Sequence, residues 1–284
     1  MCLKDKSILV NLSIHKFGTT RTDTRVTAEV LFNKSACGDS GSWKTKLLPK
    51  DCTKAIDQID NSIRKHHRLN TLPWSDKGSR ILPSKNFDKY MSTLRSLHRE
   101  RDELVEAFKR MYPTYLADAQ RRQGALYNPD HYPSAEDAAA HFELKVSASP
   151  IPDSDDFRVA LGSEAELEQI KADLDAEIKA AESNATVELF QRLCEPLAKI
   201  VERLSDPEAK FKDSLVGNLN DIVELVPHLN VTDNTKLLKI VGSIKQQLSY
   251  YTPDALRSSP TDRSQAAAKA QNILDQAQAW MPAT

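Results

Sequence analysis

Residues 163–204 read SEAELEQIKADLDAEIKAAESNATVELFQRLCEPLAKIVERL, and this stretch decides the fold class. Leu167, Ile170, Leu174, Ile178, Ala181, Ala185, Leu189, Leu193, Leu197, Ile200 and Leu204 recur every three or four residues, the spacing that gathers side chains on one face of an α-helix. The mean step, about 3.7, lies nearer an eleven-residue repeat than a heptad, which predicts a nearly straight or weakly right-handed pairing. Ser163 and Glu166 supply a capping box at the start, and Pro196 predicts a bend. So long an apolar stripe has to be covered, either by the chain's own helices or by a second copy.

Downstream, Asp206-Pro207 opens a helix carrying Phe211, Leu215, Leu219, Val223 and Val226 and closing at Pro227. Thr232 or Asp233 caps another, reaching about Tyr251, and the Ala- and Gln-rich stretch from Asp262 to Trp280 reads as a weakly anchored helix. Upstream, Phe87, Leu94, Leu97, Leu104, Phe108, Met111 and Tyr115 hold helical spacing from Ser84 to about Gln123, with Pro113 expected to kink or restart the helix. Shorter helices are predicted from Pro49 to Asn70, after Asp23 or Thr24, and from Ser134 to His141.

Strand signals are few. Ile8, Val10, Leu12 and Ile14 alternate with less apolar residues, as do Phe142, Leu144 and Val146, and then Phe157, Val159 and Leu161. These are expected to pair with one another, since an isolated hairpin is marginal in water. The whole predicts a mainly α protein: long helices with helical-bundle or coiled-coil-like packing plus a small antiparallel β element. Its expected organisation is an N-terminal α+β region with basic helices over 1–161, an acidic helical region over 162–250 and a C-terminal tail over 251–284.

Composition agrees. Of 284 residues 28% are charged and only 8 are Gly, a balance that suits long solvated helices better than a compact β-rich enzyme. The apolar run Ile8-Leu9-Val10 is too short for a signal-peptide core or a membrane span, which predicts a cytoplasmic protein without a membrane partner. Cys2, Cys37, Cys52 and Cys194 form no C-x-x-C pair, so reduced thiols are expected. The net charge of −1 conceals an asymmetry, because residues 44–122 hold 18 Lys and Arg against 10 Asp and Glu, whereas residues 134–228 hold 9 against 21. A basic surface for a polyanion and mutual neutralisation of opposite faces both fit.

Motifs that carry chemistry are scarce. Gly38-Asp39-Ser40-Gly41 copies the nucleophile string of trypsin-like proteases, but only His15 precedes it as a base, and the chain is mostly helical. His66 and His67 are adjacent and so point about 100° apart on a helix, which rules out chelation as an i, i+4 pair. Asp153, Asp155 and Asp156 lack the Gly and Glu of a calcium loop. No phosphate-binding glycine loop is present, so no cofactor is expected and any ATP would be hydrolysed by a partner.

Two surfaces remain as candidates. Arg64, Lys65, Arg68, Arg121 and Arg122, with Arg99, Arg101, Lys109 and Arg110 between them, are candidate phosphate contacts along basic helices, with Trp74, Tyr112 and Tyr127 available to stack on bases. The same helices carry Asp57, Asp60, Glu100, Asp102, Glu103 and Glu106, as an ordinary salt-bridged face would. Trp74, in Thr71-Leu72-Pro73-Trp74 beside Arg80, is either a docking anchor or a plug between helices.

Several strings taken together carry a resemblance: Ile8-Leu9-Val10-Asn11-Leu12, Thr71-Leu72-Pro73-Trp74, Arg80-Ile81-Leu82-Pro83, Tyr132-Pro133-Ser134, Asp156-Phe157-Arg158-Val159, Glu202-Arg203-Leu204-Ser205-Asp206-Pro207 and Phe211-Lys212-Asp213-Ser214-Leu215. In this order, over roughly residues 8–235, the chain resembles the family catalogued as domain of unknown function 3150. The resemblance implies a gene of bacteriophages and conjugative elements, acting in the host bacterial cytosol. It also implies neighbours of two kinds, a MoxR-type AAA ATPase and a von Willebrand A-type protein resembling cobaltochelatase subunits. It brings no catalytic residues. The resulting expectation is a non-enzymatic interaction or assembly protein, an adaptor or substrate of an AAA ATPase system that self-associates through the 164–204 helix. The alternative is a DNA-binding protein of replication or recombination.

Overall fold

The computed structural model describes residues 3–74, 78–153, 164–206 and 208–282, and it is mainly α. In chain order the elements are α1 (Leu3–Lys6), β1 (Ser7–Ile14), β2 (Thr20–Thr22), α2 (Thr24–Asn33), β3 (Lys44–Lys46), α3 (Lys54–Asn70), β4 (Leu72–Pro73) and β5 (Arg80–Pro83). There follow α4 (Phe87–Gln123), α5 (Ala135–Ala140), β6 (Leu144–Ser149), α6 (Glu164–Ser205), α7 (Ser214–Leu229), α8 (Thr235–Gln247), α9 (Pro253–Ser258) and α10 (Pro260–Trp280). One sheet has the strand order β4-β5-β1-β6, and a second pairs β2 with β3. β1 runs antiparallel to β5, with Ser7 opposite Pro83 and Val10 opposite Arg80.

The chain folds as two compact units, and these do not follow the expected divisions at residues 161 and 250. One unit is built from Met1–Asn11, Arg68–Tyr90 and Ser147–Thr284, the other from Leu12–His67 and Met91–Val146.

The core of the first unit is the apolar stripe of α6. From Ala181 through Ala185, Leu189, Leu193, Leu197, Ile200 and Leu204 it is buried against α7 and α10, in one cluster with the apolar face of α8. α10 is the main correction to the expected tail, because it makes the most extensive helix pairing of the fold, with α6. Ala266, Ala267, Ala270, Ile273, Leu274 and Ala277 are all buried there. Sequence reasoning discounted these alanines for their small apolar area, yet small side chains are what let two helix backbones approach closely. The second unit has an aromatic core, in which Phe17 meets Tyr112 edge-on at 6.3 Å and Phe108 meets Phe142 at 5.0 Å, over Leu47, Leu48 and Ile56.

Helix boundaries departed from expectation where long-range bonds intervened. α7 begins at Ser214, not at Asp206, and leaves Phe211 outside it. The carbonyls of Asp206 and Ala209 accept from the guanidinium of Arg263, and that of Phe211 accepts from Arg257, so this backbone is satisfied without being helical. α8 is capped by Asn234, whose side chain accepts from the Lys236 and Leu237 amides, rather than by Thr232 or Asp233, and it stops at Gln247. Helices α4, α6 and α7 run on through Pro113, Pro196 and Pro227. Thr71-Leu72-Pro73-Trp74, expected as a loop, contributes β4, paired antiparallel to β5. The expected strand around Phe157–Leu161 and the cap Ser163 lie outside the described residues.

Candidate interaction surface

The basic residues separate into two classes. Arg101 is 1% exposed and is a structural staple, donating from Nε to Asp60 at 2.6 Å and to the carbonyls of Phe142 at 2.8 Å and His15 at 3.0 Å. Arg121 and Arg122 both grip Asp118, at 2.8 and 2.6 Å, and these bonds hold its carboxyl below the usual range. Arg64, Lys65 and Arg68 are exposed on α3, and among the described residues no carboxylate pairs with them. Tyr112 is buried in the aromatic core and cannot stack on a base, whereas Tyr127 stacks on Tyr132 at 5.0 Å.

Trp74 is 8% exposed and belongs to the core of the first unit, the position of a plug. Arg80 is turned inward too: its Nε donates to Thr71 Oγ1 at 2.7 Å and a terminal nitrogen to Glu188 at 3.3 Å. Burial lowers its pKa against the opposing pull of Glu188. Neither residue is displayed as an anchor for a partner. Ser40 stands in an exposed turn, while His15 is bonded to Ser13 at 2.8 Å. Among the described residues no three His, Cys, Asp or Glu side chains converge to hold a metal, and no helix is long and apolar enough to cross a membrane.

The surface that stands out was not among the sequence candidates. In the second unit, Asp23 accepts from the Val26 amide at 3.0 Å and so starts α2. The helix ends in a Schellman turn, in which Ala36 N–H donates to Leu31 O at 2.9 Å and Ser35 N–H to Phe32 O at 3.1 Å, with Ser35 in the left-handed region at φ 49°. That turn fixes the end of the helix and leaves the Phe32 side chain 86% exposed. The chain then returns to α2: Trp43 N–H donates to Thr27 Oγ1 at 2.9 Å and Trp43 O accepts from the Asp23 amide at 3.0 Å. Trp43 is 44% exposed and Val30 43%. Between them lies a cleft of about 260 Å³ lined by Val30, Leu31, Ala36 and Trp43, with Lys34 at its edge. Within residues 20–46 the exposed charges are Arg21, Arg25, Lys34, Lys44 and Lys46 against Glu29 and Asp39, so the apolar patch has a basic surround.

A second cleft, of about 460 Å³, lies in the first unit between the end of α6 and the start of α10. Its two arginines are already occupied. Arg257 is tied to Asp213 and Asp254, which raise its pKa, and Arg263 is tied to backbone carbonyls, with both guanidinium groups over the Phe211 ring.

Comparison with protein-family models, with characterised proteins and with solved structures gives no match to this chain. Sequence reasoning missed Phe32 because Val26, Val30 and Leu31 alone satisfy the helical period, which left Phe32 as one more apolar residue. The usable signal was that an aromatic in the last turn of a short helix, followed by a polar turn, has no inward face left to occupy.

Proposed function

We propose that this chain is a non-enzymatic interaction protein that receives an apolar anchor of an acidic protein segment on the surface formed by α2 and the segment 36–43 that follows it. The observation carrying this reading is the exposure of Val30 and Trp43 around a cleft that fits one or two side chains, inside a basic surround. Aromatic side chains with a basic rim are what binding hot spots are made of, since the rings supply buried area and the charges supply orientation and on-rate. The resemblance to domain of unknown function 3150 supports a phage or mobile-element setting, with the AAA ATPase or the von Willebrand A-type protein as the partner to try first.

An acidic amphipathic peptide of Leu and Glu, compared by fluorescence anisotropy with a sequence-scrambled version, tests the surface. Binding should weaken roughly tenfold or more in Trp43→Ser, a loss of about 1.4 kcal/mol, while the melting temperature stays unchanged because the ring belongs to neither core. Equal binding of the scrambled peptide, or full binding by Trp43→Ser, would refute the reading.

DNA binding stands as a second reading on one observation, the exposed and carboxylate-free Arg64, Lys65 and Arg68. It requires affinity for labelled DNA that falls steeply with salt.

A further inference from the structure

α6 is about twice as long as the helix that covers it. Its 42 residues span about 63 Å, whereas the 21 of α10 span about 31 Å. Arg263, in the first turn of α10, donates to the Arg203 and Leu204 carbonyls at the C-terminal end of α6, and from there the two helices pair extensively. They are therefore antiparallel, and at equal rise per residue Trp280, the last residue of α10, lies opposite about residue 187. Two further contacts fall on the same half: Thr232 reaches Thr186 at 3.2 Å, and Arg192 donates to the Thr71 carbonyl at 2.8 Å.

Ahead of that half, Leu167, Ile170 and Leu174 continue the stripe one turn apart, half-buried and outside the core cluster. Their flanks are strongly acidic, with Glu166, Glu168, Asp173, Asp175 and Glu177 against Lys171 alone over residues 165–177. Three apolar residues form too short a seam to hold a partner helix by hydrophobic contact alone, so charge has to decide the occupant. Two copies of this segment would bring like charges into register, whereas cationic side chains flanking an apolar stripe would be matched along its length.

We infer that the leading third of α6 is a docking face for a basic amphipathic helix of a protein partner. This goes beyond the α2 surface and rests on different residues. The groove-bound helix would use apolar anchors three and four residues apart, with Lys or Arg on both sides of the stripe.

The probe is an amphipathic Leu/Lys peptide, with a scrambled peptide of the same composition and a Leu/Glu peptide as controls, titrated against the full chain by anisotropy. The Leu/Lys peptide should bind at least about tenfold tighter than its scramble and should weaken with salt. The triple variant D173K/D175K/E177K, at exposed positions that leave helicity by circular dichroism intact, should lose about tenfold or more, and L167S/L174S should lose a similar amount. Trp43→Ser should bind this peptide as the parent does, which separates this face from the α2 surface. Equal binding of the scramble, or undiminished binding by the triple variant, would overturn the proposal. So would a dimer in light scattering that L167S/L174S dissociates, since the face would then belong to a second copy.

Discussion

Three arginines spend their donors on this chain's own backbone, and one of them, Arg101, is among the residues that the sequence offers as phosphate contacts. Arg101 joins Asp60 and two carbonyls in the second unit, Arg192 donates to the carbonyls of Arg68, Leu69 and Thr71 at the end of α3, and Arg263 closes the end of α6. A guanidinium suits this role because its donors form a rigid planar fork and its charge opposes the negative end of a helix. The Arg101–Asp60 pair is buried on both sides, so Arg101→Met should destabilise the protein by about 3–5 kcal/mol in urea unfolding, because it strands a buried carboxylate. A double variant with Asp60→Leu should recover part of that loss. A neutral effect of Arg101→Met on stability, coupled to lost DNA affinity, would return this residue to the phosphate stripe. None of this is visible in the sequence, where Arg101 sits among Arg99, Asp102 and Glu103 like any surface charge.

At the scale of elements, periodicity located the helices well and their ends poorly. The stripe of α6, the pattern of α4 and the Ser134 cap of α5 were all legible from spacing and side-chain chemistry. α10 was legible as a helix but not as a core helix, because its buried face is mostly alanine and close packing of alanine leaves no hydrophobic signal. Ala270 is fully buried there, so Ala270→Leu should cost about 1–3 kcal/mol from overpacking, read as a lowered melting temperature. If Ala270→Leu were neutral, the pairing of α10 with α6 would have to be looser than described. The expected self-association through α6 is also narrowed, since the stripe from Ala181 onward is consumed inside one chain.

For the molecule as a whole, the linear charge asymmetry does not carry over into the two units. The unit formed by Leu12–His67 and Met91–Val146 holds 18 Lys and Arg against 15 Asp and Glu, and the other holds 21 against 25. Chain segments of opposite sign contribute to both, which softens the two-ended picture and leaves local features, the surround of Phe32 and the flanks of the leading α6 turns, as the charged surfaces of interest. Separate cores predict separable stability. Phe108→Ala should remove about 3–5 kcal/mol from the aromatic unit, and hydrogen exchange should show lost protection in α4 beyond Met91 while α8 and α10 keep theirs. Uniform loss of protection would instead mean one cooperative unit.

What the sequence determined by itself was the class of structure and its local punctuation: long helices placed by a period of three and four, a short β element placed by alternation, a cap at Ser134 and another at Asp23 or Thr24. These depend on neighbours within a few residues, which any reader of the chain can see. Only the tertiary structure decided which apolar residues find cover, which arginines are turned inward, that Phe32 is left exposed, and that the apolar residues of the leading α6 turns stay outside the core cluster. Burial depends on what arrives from distant parts of the chain, and a local pattern carries no record of that.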